Sequence, residues 1–224
     1  MRTSRGRIRL AIVAAVVVLA AGCGGTPAPS APAASAIASA ASPTGPVGAA
    51  DWPAPADPMA RAVQAGLKPG PKEFGVNHVH AHLDVFVDGT PVTVPAGIGI
   101  NIADPAVRTF DLPDGSKEYG GIELCNDPCI SPLHTHNNSG VLHTESATAT
   151  PNTLGEFFVE WGVPLDLSCV STYCSPTTKI AIYVDGDLST GDPRAIELTD
   201  LREIAVVIGT PPATIPKTGD FSNA

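Results

Sequence analysis

The segment running from His78 to Pro95 restricts the fold more than any other part of the chain. In His78-Val-His80-Ala-His82-Leu-Asp-Val-Phe-Val87 apolar residues fill the odd positions, the period-two pattern of a strand with one buried face. Asp88-Gly89 follows, then Thr90-Pro-Val-Thr-Val-Pro95. Asp-Gly readily adopts the positive φ angles of a two-residue type I′ turn, so the two runs form a β-hairpin. Pro91 has no N–H for a ladder and places its strand at an edge.

Around this hairpin the remaining elements are fewer and shorter. Asp57-Pro58 through Gly66 reads as a short helix, with Asp57 as N-cap and Gly66 as stop. Residues 101–132 are rich in Pro, Gly and Asp and read as a long irregular insertion. Gly140 to Glu145 has strand character. Thr153 and Glu156 have capping-box spacing ahead of Leu154, Phe157, Phe158 and Trp161, which predicts the main helix. Lys179 to Val184 reads as a strand entering an Asp185-Gly186 turn, and Glu203 to Gly209 as a buried strand. Hairpin, one main helix and C-terminal strands give a single α+β, predominantly β domain whose order is similar to a β-grasp sheet.

The alternation has a chemical consequence. All six histidines fall in three short segments: His78, His80 and His82; His134 and His136; and His143. In a strand, residues two apart share a face, so His78, His80, His82 and Asp84 project together, as do His134 with His136 and His143 with Glu145. Imidazole binds Zn²⁺ and Cu²⁺ well, and i, i+2 ligands on a rigid strand are already positioned. The predicted ligands are His80, His82, His134, His136 and His143, with His78 and Glu145 as further candidates, and copper or zinc as the ion. The competing reading is a hydrogen-bonded, pH-responsive histidine patch without metal.

Once Cys23 is set aside, four cysteines remain: Cys125, Cys129, Cys169 and Cys174. An even number in an exported chain points to two disulfides. Three pairings exist, of which the two local ones are simplest. Cys125 and Cys129 with His134 and His136 also spell a Cys₂His₂ zinc pattern, which requires free thiols. Asp114, Asp127 and Asn137-Asn138 offer oxygens for calcium, but without EF-hand spacing. The chain has no Gly-x-Ser-x-Gly elbow and no phosphate-binding glycine loop.

The N-terminus addresses the domain to a membrane surface. Arg2, Arg5, Arg7 and Arg9 precede an unbroken apolar run from Leu10 to Ala21, the pattern of a secretory signal. The run is too short for the roughly 20 residues of a transmembrane helix. It ends in Leu19-Ala-Ala-Gly-Cys23, which resembles the lipobox of bacterial lipoproteins, with the leucine one place further upstream than in the commonest pattern. The resemblance implies that Cys23 is the lipid-bearing first mature residue, held at the outer face of the cytoplasmic membrane.

Residues 23–56 are Ala, Pro and Ser-rich, cannot bury a core, and read as a tether. The chain thus divides into a signal (1–22), tether (23–56), domain (57–212) and flexible tail (213–224). Removing the four signal arginines from 13 basic residues leaves 9 against 22 acidic ones, a surface that repels nucleic acid and suits cations.

Taken together, His80-Ala-His-Leu-Asp-Val-Phe-Val-Asp-Gly89, Leu133-His-Thr-His136, Ser139-Gly-Val-Leu-His-Thr-Glu-Ser146 and Thr153-Leu-Gly-Glu-Phe-Phe158 resemble the motifs of a family of exported bacterial and archaeal proteins. The resemblance spans roughly residues 76–209 and implies one domain with one site, but no reaction. Asn137 stands where that pattern has an aspartate, which leaves a carboxylate behind the histidines in doubt. The residues favour metal binding, delivery or sequestration over the rival of a zinc-dependent lyase or hydrolase with a His₃ site.

Overall fold

The computed structural model describes residues 51–222 of the 224; the signal, Cys23 and most of the tether lie outside the described residues. Helix α1 (Pro58–Gln64) opens on Asp57, whose side chain accepts from the Ala60 N–H. Strand β1 (Asn77–Val87) is the spine of the sheet. Asp88 and Gly89, at φ 48° and 77°, reverse the chain into β2 (Thr90–Val92).

The stretch expected to be irregular contains a second hairpin, β3 (Arg108–Asp111) and β4 (Lys117–Gly120). Its turn is held by Asp114, which accepts from the Ser116 N–H at 2.9 Å, and by Gly115 at φ 85°. Next come β5 (Leu133–His134), β6 (Val141–Ser146) and α2 (Leu154–Trp161). The capping box between Thr153 and Glu156 forms, and Gly162 ends α2 in the left-handed conformation. The chain closes with β7 (Cys169–Val170), β8 (Tyr173–Cys174), β9 (Ile180–Val184), β10 (Asp187–Leu188) and β11 (Glu203–Ile208).

The main sheet runs β10-β9-β11-β1-β6-β5. Central β1 is parallel to β11 along one edge over residues 82–87. Its other edge is shared: β6 pairs with residues 77–82 and β2 with residues 85–87, both antiparallel. Leu83, Val85 and Val87 face inward with Ile204, Val206 and Ile208, against Leu154, Phe157, Phe158 and Trp161 of α2. Each such side chain contributes about 1.5–3 kcal/mol when fully buried. Helix on one face and a strand-dominated sheet make an α+β domain, and the even-numbered residues of β1 are left for the opposite face.

The cysteines pair locally, Cys125 with Cys129 and Cys169 with Cys174. Bonded thiols leave no Cys₂His₂ site. Two boundaries differ from the sequence reading because isolated aromatic and aliphatic anchors find partners. The indole of Trp161 donates to the Trp52 carbonyl at 3.0 Å and the two rings meet edge to face, so the end of the tether docks on the core. Residues 213–222, expected to be a flexible tail, lie along the outer face, where Ile215 packs on Phe86 and Val207 and Phe221 meets His82. Among the described residues, no helix is long and apolar enough to cross a membrane.

Candidate metal centre

Strand register decides which histidines meet. On the outer face, His80 of β1 lies opposite His143 of β6, and His143 lies opposite His134 of β5. Three imidazoles therefore form one row across three strands. The neighbouring row pairs His78 with Glu145. Adjacent rows are about 6.7 Å apart along a strand, close enough for long side chains to lean together. His134, His136, His143 and Glu145 each offer a ligand atom within 4.8 Å of the others, as do His78, His80 and Glu145.

His136 joins the row from beyond β5. Its ring nitrogen Nδ1 donates to the Tyr119 carbonyl at 2.5 Å, and its own carbonyl accepts from the Tyr119 N–H at 2.9 Å, so β4 clamps it on both sides. The intervening Thr135 is locked by Pro95 and Ile98. His134 is fully buried, and its Nδ1 donates to the Ser131 carbonyl at 2.9 Å. Gly99 lets the 97–100 loop lie against this histidine: at φ +71°, a Cβ there would sit 3.1 Å from that of His134 and collide with the Leu133 carbonyl.

A carbonyl oxygen can only accept, so in both rings the proton is on Nδ1 and the lone pair on Nε2. The two Nε2 atoms face one another at 3.2 Å. Two lone pairs at that distance repel unless a proton or a metal ion lies between them. Nitrogens each about 2.0–2.1 Å from one tetrahedral ion are about 3.3–3.4 Å apart, so the pair is spaced closely enough to hold one metal, as it is to share a proton. Carbonyls hydrogen-bonded behind imidazoles are the usual outer support of a metal site.

Electrostatics agree with this arrangement. Burial, reinforced by neighbouring imidazoles, pushes His134 well below the ordinary histidine range. Burial likewise lowers His143 and His80. All three are thus held in the neutral form that ligates. The Nδ1 of His143 is buried without a hydrogen-bond partner, since Glu145 at 3.8 Å is too distant. Burial alone would raise the Glu145 carboxyl, but His143, His78 and His136 outweigh it and hold it below the usual range. An open cleft of about 380 Å³ exposes one side of the cluster.

His82 stands apart, and its separation is a matter of register. It shares the face of His80 but lies opposite Val141 on β6 and Glu203 on β11. Its Nδ1 is 2.8 Å from Glu203 Oε2, and its Nε2 donates to the Ser139 carbonyl at 3.0 Å. Burial opposes the charged form, but Glu203, Asp84 and Ser139 together raise its pKa. With Nδ1 engaged by Glu203 and Nε2 by Ser139, neither ring nitrogen can turn to the histidine row without breaking one of these bonds. With Asp84 and Glu203 it forms a separate cluster under the C-terminal segment, whose three side chains also lie close enough together to hold a metal ion of their own.

Asn137 also has a role an aspartate could not fill. Its Nδ2 donates to Glu118 Oε2 at 3.1 Å, fixing a carboxylate at the cleft. Sequence reasoning missed Glu118 and Glu73; the latter lies 3.9 Å from His136 Nε2, and burial and the nearby Glu145 raise its carboxyl. Neither sits in a periodic segment that would betray it. No protein-family model matches this chain, nor does any curated protein or solved structure.

Proposed function

We propose that this chain is a lipid-anchored, extracytoplasmic metal-binding protein that holds copper or zinc through His134, His136 and His143, with His80 and Glu145 beside them. Its role is metal binding, delivery or sequestration at the outer face of the cytoplasmic membrane, with Cys23 as the anchor. The motif resemblance to exported bacterial and archaeal proteins belongs to the same proposal. The observation that carries the metal reading is the pair of Nε2 atoms at 3.2 Å whose Nδ1 protons are both committed to carbonyls. The open cleft favours one second reading, a zinc centre whose bound water, with pKa near 7, performs hydrolysis or lyase chemistry.

Equilibrium dialysis of tag-free protein against Zn²⁺ or Cu²⁺ tests the main reading. Tight uptake should be abolished by His134→Ala or His136→Ala. Unchanged uptake in both variants would refute the assignment, and rapid turnover of esters or hydratable carbonyls by the zinc form would favour the enzyme.

A further inference from the structure

We infer that the histidine face holds a second, outer metal ion, carried by His78, His80 and Glu145 and bridged to the inner one by the Glu145 carboxylate. This rests on the metal reading above and adds its stoichiometry and its route of exchange. The two ligand sets, His134-His136-His143-Glu145 and His78-His80-Glu145, have Glu145 in common. Its Oε1 lies 3.3 Å from His78 Nε2 and 3.8 Å from His143 Nδ1, so one carboxylate faces a ligand from each set. A carboxylate has about four lone-pair sites on two oxygens and can serve two ions at once. Paired ions in two-metal sites lie about 3.5–4 Å apart, a span this carboxylate can bridge.

Ring positions support the bridge. His80 sits between the sets, its centroid 4.9 Å from that of His78 and 4.6 Å from that of His143. The His143 Nδ1 is buried, unpartnered and on the Glu145 side, an atom that points to a ligand. The charge of two cations has a counterpart: Glu73, Glu118 and Glu145 line the cleft, and among the described residues no lysine or arginine does. The sets also differ in access. The His134 side chain is fully buried, whereas that of His78 is 52% exposed. The outer ion is therefore the exchangeable one, the position from which an ion passes to or from a partner.

Titration of tag-free wild-type protein with Cu²⁺, followed by dialysis and by electron paramagnetic resonance, tests this. Two equivalents should bind, the second more weakly, and the resonance signal per copper should fall or broaden as the second ion couples to the first. His78→Ala/His80→Ala should keep one equivalent and lose the coupling. Glu145→Gln should also lose the second equivalent. Saturation of the wild type at one equivalent overturns the second site and leaves the inner one standing. No tight binding at all overturns both.

Discussion

Replacing His82 with Ala separates a ligand from a structural charge. His82 donates to the Glu203 carboxylate, whose side chain has no exposed surface and whose Oε1 already lacks a partner. Removing one member of a buried ion pair costs about 3–5 kcal/mol, because the other charge remains without compensation. Asp84 beside the pair is a third exposed, so water can relax part of that penalty and the lower end, about 3 kcal/mol, applies. For a domain of about 170 residues this lowers Tm by about 6–12 °C.

The pH dependence has a definite sign. The raised His82 stabilises fully below its unfolded value of about 6.5, and its contribution fades as pH rises through the higher native value. His82→Ala removes that contribution, so the deficit should grow as pH falls from about 7.5 to about 6.5. Calorimetry of metal-free wild type and variant at both pH values measures this, and dialysis should give unchanged metal stoichiometry. A variant of wild-type stability that has lost its metal would make His82 a ligand and not a structural charge.

Other outcomes follow from the same geometry. Burial lowers His134, His143 and His80, so metal affinity should persist as pH falls past about 6.5, where an exposed histidine site would already weaken. Without metal, the same groups make the domain less stable with acid, because the unfolded chain binds protons that the folded one refuses; binding and unfolding measured across a pH series check both. Cys125→Ser/Cys129→Ser opens a loop of sequence separation 4 and should cost about 2 kcal/mol in urea unfolding, with metal binding retained. Cys23→Ala should yield a precursor that takes up no acyl label and remains unprocessed; acylated variant protein would exclude Cys23 as the anchor.

Much of the domain was legible because its signals are local. The capping box at Thr153, the Asp-Gly turn at 88–89 and the paired short cysteine loops each depend on residues a few positions apart. Strand parity likewise placed His78, His80 and His82 on one face. Lateral register was not legible: a single step along β1 determines that His80 meets His143 while His82 meets Glu203, and that step depends on long-range pairing with β6 and β11. The carbonyls of Ser131 and Tyr119, which set the tautomers, are invisible in a sequence because every residue carries one. Trp52, Ile215 and Phe221 lie in segments without periodicity, so their docking left no pattern.

Crystals of tag-free protein grown with Zn²⁺ or Cu²⁺, with diffraction recorded on both sides of the metal absorption edge, locate the ion itself. An anomalous peak should lie between the Nε2 atoms of His134 and His136, about 2.0–2.1 Å from each, with both Nδ1 atoms still on the Ser131 and Tyr119 carbonyls. A cluster without the peak, or a peak confined to His82 and Glu203, would contradict it.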